Sequence, residues 1–114
     1  MKVAVVGSRN AGDLTVDQVI SHIPLNASLL ISGGACGVDT LAEQAARELC
    51  IPIQILRPDY RTHGRLAPLV RDDKIVQQAD LVLAFWDGSS SGTAYTLRRC
   101  VDSHTPFRII QLKF

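Results

Sequence analysis

The stretch from Leu29 to Cys50, LLISGGACGVDTLAEQAARELC, reads as a complete strand, turn and helix, and it decides the fold. Leu29 to Ser32 is a short apolar run, and Gly33-Gly34-Ala35-Cys36-Gly37 interrupts it. Val38, Leu41, Ala42, Ala45, Ala46 and Leu49 then recur at the i, i+3, i+4 spacing of a single helix face. A strand that is apolar throughout needs cover on both of its faces, and a β-α crossover supplies that cover. The pattern repeats outward. Val3 to Val6, Ile53 to Leu56, Leu81 to Phe85 and Phe107 to Leu112 read as further buried strands. Val16, Val19, Ile20 and Ile23 keep helical spacing behind a Thr15/Gln18 capping box. Another helix runs from about Pro68 to Ala79, with the proline suited to its first turn, and a fourth follows Gly92. Strict alternation of this kind predicts a five-stranded parallel sheet, order 3-2-1-4-5, between two helical layers.

Composition bounds the rest. With 114 residues, 46% of them hydrophobic, the chain suffices for one core, so residues 1–114 are expected to form a single domain. The formal net charge is +1 and no Lys or Arg run stands out, so nucleic acid is not expected as a partner. Cys36, Cys50 and Cys100 are odd in number and lack a C-x-x-C pair, against a disulfide framework or a zinc site and in favour of a reducing cytoplasm. The apolar run near Met1 is too short for a signal segment or a membrane span. No metal, cofactor or membrane partner is expected.

In an open α/β sheet the ligand crevice lies outside the carboxyl ends of the strands. Three glycine-rich loops fall there. Gly7, Ser8 and Arg9 follow the first strand; Gly33, Gly34 and Gly37 follow the second and lead to Asp39; Asp87, Ser89, Ser90, Ser91, Gly92 and Thr93 follow the fourth. Glycine allows close backbone approach to an anion, helix N-termini present unpaired N–H groups, and serines add hydroxyl donors. None of these strings is G-x-G-x-x-G or G-x-x-x-x-G-K-[ST], so neither ordinary dinucleotide binding nor a P-loop is supported.

These motifs, with the Gly64 to Asp72 segment, resemble over essentially the whole chain the SLOG superfamily, named for the DNA-processing SMF proteins and the LOG nucleotide hydrolases. The likeness is strongest to its small stand-alone members. It implies a Rossmann-like three-layer fold whose loops hold nucleotides or nucleotide-derived ligands, phosphate resting where Gly92 and Thr93 start a helix. It also implies a homodimer. Hydrolytic LOG members carry Pro-Gly-Gly-x-Gly-Thr-x-x-Glu; here Gly88-Ser89-Ser90 replaces Pro-Gly-Gly and Thr96 stands at the glutamate. A hydroxyl lacks the charge to stabilise an oxocarbenium-like centre or activate water, so hydrolysis is not expected unless Asp39, Asp72 or Asp87 takes over. Arg71 matches the arginine of a family Arg-Asn pair, with Asp72 in place of the asparagine.

Arg71 is accordingly the expected counter-charge for phosphate, Arg9 a second, and Asp39 a helix-capping or ribose-binding carboxylate. Cys36 reads as packing, His22 and His104 as surface residues at helix ends, and His63 as a loop residue within reach of a ligand. Trp86 stands where a strand meets the crevice. The expected function is a sensor-like binder of a phosphorylated nucleoside. The alternatives are a nucleoside-monophosphate phosphoribohydrolase and a single-stranded nucleic-acid module like the DNA-processing relatives.

Overall fold

The computed structural model describes residues 1–114. Strands β1 (Lys2–Gly7), β2 (Leu29–Ser32), β3 (Ile53–Ile55), β4 (Leu81–Trp86) and β5 (Phe107–Gln111) form one sheet in the order β3-β2-β1-β4-β5. Every neighbouring pair is parallel, with Val3 level with Leu30 on one side and Leu81 on the other. This is the doubly covered α/β sheet that the sequence alternation predicts.

Period-two alternation within β1 builds two cores at once. Val3 and Val5 point to one face, where they join Leu30, Leu83 and Phe85 beneath α1 (Val16–His22) and α2 (Val38–Leu49). Ala4 and Val6 point to the other, joining Ile31, Val82 and Ala84 beneath α4 (Ala67–Gln78) and α5 (Ser91–Ser103). The Thr15/Gln18 capping box is formed in full. No helix is long and apolar enough to cross a membrane.

Three local readings are corrected. Strand β5 is not buried: Phe107 and Ile109 remain exposed, because an edge strand has a neighbour on one side only and α5 stops short of covering it. Residues 60–66, which carry no apolar stripe, fold into a one-turn helix α3 (Tyr60–His63) and a 3-10 turn (Gly64–Leu66). Asp59 starts α3 by accepting the Thr62 N–H. His22 is not a surface residue but is half-buried, its ring edge-on to Phe85 at 5.7 Å between centroids.

Chain order reverses direction across the sheet between β1 and β4. The carboxyl ends of these strands and of β2 meet at one edge, so the loops carrying Gly7, Gly33 and Gly92 converge there.

Candidate functional site

A cleft of about 850 Å³ opens at that edge. Its floor is the end of β1, and its walls are the loops after β1, β2 and β4 with the facing turns of α4 and α5. Ser8 joins these parts. Its N–H donates to Phe85 O at 3.2 Å, its carbonyl accepts the Val38 N–H at 3.3 Å, and its hydroxyl accepts the Asp87 N–H at 3.2 Å. The α2 loop closes tightly against it: Gly37 has φ of +73°, and a Cβ there would lie 2.0 Å from Arg9 O. Gly37 therefore serves packing, and the α2 N-terminus is not an open anion site.

The serine-rich turn is organised around Asp87. One carboxylate oxygen accepts the N–H groups of Ser89 and Ser90 at 2.8 and 2.7 Å, and the other accepts the Ser90 hydroxyl at 2.9 Å. These backbone donors hold the Asp87 carboxyl down at about 2, so it is ionised and committed to the turn. Ser90 O accepts both the Trp86 indole N–H and the Ala94 N–H, each at 3.1 Å. Trp86 thus braces the turn. The donors of Ser89 and Ser90 expected for a phosphate are occupied by the protein's own carboxylate.

The next three residues differ. Helix α5 begins at Ser91, one residue earlier than read from the sequence, and has no side-chain N-cap bond. Ala94 is the first residue whose N–H returns to the helix, so the N–H groups of Ser91, Gly92 and Thr93 lack helical acceptors. All three residues line the cleft. Thr93 is 5% exposed, yet its hydroxyl has no intramolecular partner and opens into the cleft. Nothing stands within 4 Å of where a Cβ on Gly92 would be, so no packing demands glycine there.

Opposite this helix start lies a charged cluster. Arg71 Nε donates to Asp72 at 2.7 Å and Nη1 to Gly33 O at 2.8 Å, which fixes the guanidinium across the cleft. Asp39, also buried, accepts the Ala35 N–H at 3.0 Å and so caps the glycine loop. Burial raises the Asp39 carboxyl against that hydrogen bond and the Arg71 charge. Burial likewise raises Asp72 to about 6, opposed by Arg71 and reinforced by Asp39. Thr96, at the position of the hydrolase glutamate, donates to Gly92 O at 3.1 Å. No group of three His, Cys, Asp or Glu side chains is placed to hold a metal.

Of the residues singled out from the sequence, Gly7, Ser8, Arg9, Gly33, Asp39, Arg71, Asp87, Ser90, Ser91, Gly92 and Thr93 line the cleft. Gly34, Gly37 and Ser89 do not: the first two pack the loop, and Ser89 faces outward. Sequence reasoning missed Arg65 and Tyr95 as lining residues. Arg65 is one residue past Gly64 in the segment already singled out. Tyr95 follows Thr93 by two residues and donates to Asp73 at 2.9 Å, a contact between helices that no spacing reveals. His63 lies outside the cleft, in a smaller depression beside it.

No curated protein sequence matches this chain. A solved structure of DNA processing protein A from Helicobacter pylori, described for its single-stranded DNA binding mode, superposes with a TM-score of 0.78 at 20% identity. The match covers 100% of this chain and 66% of that one, so the chain spans just under two thirds of that neighbour. This likeness corrects the expectation that nucleic acid is not a partner, since the fold is also that of a single-stranded DNA-binding protein. Net charge does not exclude such a partner, because it is a sum over the whole surface, whereas Arg9, Arg65 and Arg71 gather at one cleft. The profile of the YspA, cpYpsA-related SLOG family matches residues 1–63, more than half of the chain, and the protein belongs to that SLOG family.

Proposed function

We propose that this SLOG-type module binds single-stranded nucleic acid, seating a backbone phosphate on the first turn of α5. The observation that carries the reading is the open helix start: three N–H groups without helical acceptors and the unpartnered Thr93 hydroxyl open to the cleft, on the same cleft that Arg71 lines. Oriented N–H groups at a helix N-terminus suit a phosphate, and a guanidinium beside them adds charge-assisted bonds. Arg9 and Arg65 at the rim make no ion pair and are placed to follow the strand outward. The likeness to a DNA-binding protein of the same fold favours a nucleic-acid strand over a free nucleotide.

Thr93→Val tests the reading. Its hydroxyl has no partner in the protein, so the substitution breaks no intramolecular hydrogen bond and stability should change by no more than about 1 kcal/mol. Affinity for a short oligothymidylate should fall roughly tenfold or more, the usual effect of losing a hydrogen bond to a charged group. Titration with thymidine monophosphate in parallel decides the ligand: tighter binding of the mononucleotide than of the oligomer would replace the strand by a free nucleotide. Unchanged oligomer affinity in Thr93→Val would remove the phosphate from this helix. The reading also includes a homodimer and a reducing compartment. Exposed Val101, Phe107 and Ile109 beside the free edge of β5 support the first, and three unpaired thiols the second.

A further inference from the structure

Arg71 belongs to two concavities. Besides the main cleft it lines a depression of about 80 Å³, bordered by Arg57, His63 and Lys74. That volume matches two or three water molecules, enough for a phosphate and too small for a base with its sugar. The depression is built from the residues just after β3, from α3 and from α4.

Two guanidiniums are anchored on the loop after β2. Arg71 Nη1 donates to Gly33 O at 2.8 Å, and Arg57 Nη1 donates to the next carbonyl, Gly34 O, at 3.2 Å. Successive carbonyls of one loop therefore anchor the two guanidiniums, Arg71 bordering both the cleft and the depression and Arg57 the depression alone. Arg57 and Lys74 make no ion pair. The carboxylate in the depression, Asp59, is turned back on its own helix by the Thr62 N–H at 3.2 Å and hydroxyl at 2.7 Å. The depression thus has two cations without an ion pair, while its one carboxylate is bonded to its own helix.

We infer that the depression bordered by Arg57 and Lys74 is a second phosphate subsite, taking the next phosphate of a strand whose first phosphate lies on α5. The inference rests on the reading of the cleft given above, and Arg71 is the shared cation between the two positions. A ligand with one phosphate fills the α5 cradle alone; a ligand with two or more bridges both. The arrangement supplies what a single cradle cannot, a preference for chain over monomer without any contact to a base.

The experiment compares thymidine monophosphate with oligothymidylates of increasing length on the wild type, Arg57→Ala and Lys74→Ala, each titrated over a range of salt. Both side chains are exposed, so the fold should hold. The wild type should bind oligomers more tightly than the monomer. Arg57→Ala should weaken the oligomer roughly tenfold and make the slope of log K against log salt shallower by about 0.7, the value for one single-strand phosphate contact. Lys74→Ala should act in the same direction, and both variants should leave the monomer unchanged. Equal losses for monomer and oligomer, or no loss for either, would overturn the second subsite while leaving the cradle intact. Failure of the wild type to bind any of these ligands would overturn the cradle reading and the subsite with it.

Discussion

Asp72 is the residue whose chemistry departs furthest from what its position in the sequence announces. A substitution of asparagine by aspartate beside Arg71 is legible; that the new carboxyl is buried among Arg71, Thr96 and Asp39 is not, because three separate elements must assemble to bury it. Its folded value of about 6 lies above the ordinary 3.8, so the folded protein binds a proton more tightly than the unfolded chain. Stability from this group is therefore fully present below the unfolded value and is lost as pH rises through about 6. Asp87, held at about 2, works in the opposite sense, its contribution being present above the unfolded value and fading only toward pH 2. Asp72→Asn keeps an oxygen for Arg71 Nε and removes the buried charge. Denaturant titrations should find the variant more stable than wild type at pH 8, by up to about 3 kcal/mol, and nearly equal to it at pH 4. The loss of one negative charge from the cleft should also tighten phosphate binding at pH 8.

Helix α5 and the loop before α2 show how differently two glycine-rich junctions are used. Both read alike in the sequence, since a glycine beside a helix start fits a tight turn and an anion site equally well. The structure separates them by what surrounds each Cβ position. Gly92→Ala places a methyl in open cleft and replaces glycine within a helix, so the protein should become more stable by up to about 1 kcal/mol while oligonucleotide affinity falls. Gly37→Ala meets Arg9 O and keeps an unfavourable positive φ, so thermal or denaturant unfolding should show a loss of at least about 1–3 kcal/mol. A gain of affinity in Gly92→Ala, or a neutral Gly37→Ala, would reverse these assignments. Elements with strong periodicity, such as α2 and β1, were legible nearly to the residue. The α3 turn was not, because its stability comes from Asp59 capping and from packing against α4 rather than from any apolar stripe of its own. Exposure of β5 was equally hidden, since an apolar strand reads the same in the middle of a sheet and at its edge.

Taken as a whole, the molecule places its chemistry by topology: the reversal between β1 and β4 brings residues from positions 7, 33, 71 and 92 to one edge. The strand order was legible from the alternation, and so were Arg71 and Arg9 at the crevice; Arg65 was not, because its place depends on how the segment after β3 folds. Binding of a single strand should accordingly depend on salt more steeply than a net charge of +1 suggests. Four phosphate contacts, at Arg71, at the Arg57/Lys74 depression, at Arg9 and at Arg65, imply a slope of log K against log salt near about −3, measurable by fluorescence anisotropy. A slope near zero would mean that these cations do not meet phosphates. The same topology sets α2 antiparallel to the strands it covers, with an exposed cysteine just beyond each end, Cys36 beside the cleft loop and Cys50 at the opposite edge of the sheet. At 1.5 Å per residue they stand about 20 Å apart. The wild-type chain therefore carries its own pair of attachment points for an environment-sensitive dye: a Cys50→Ser protein labelled at Cys36 would report occupancy of the cleft, and a Cys36→Ser protein labelled at Cys50 would serve as its silent control.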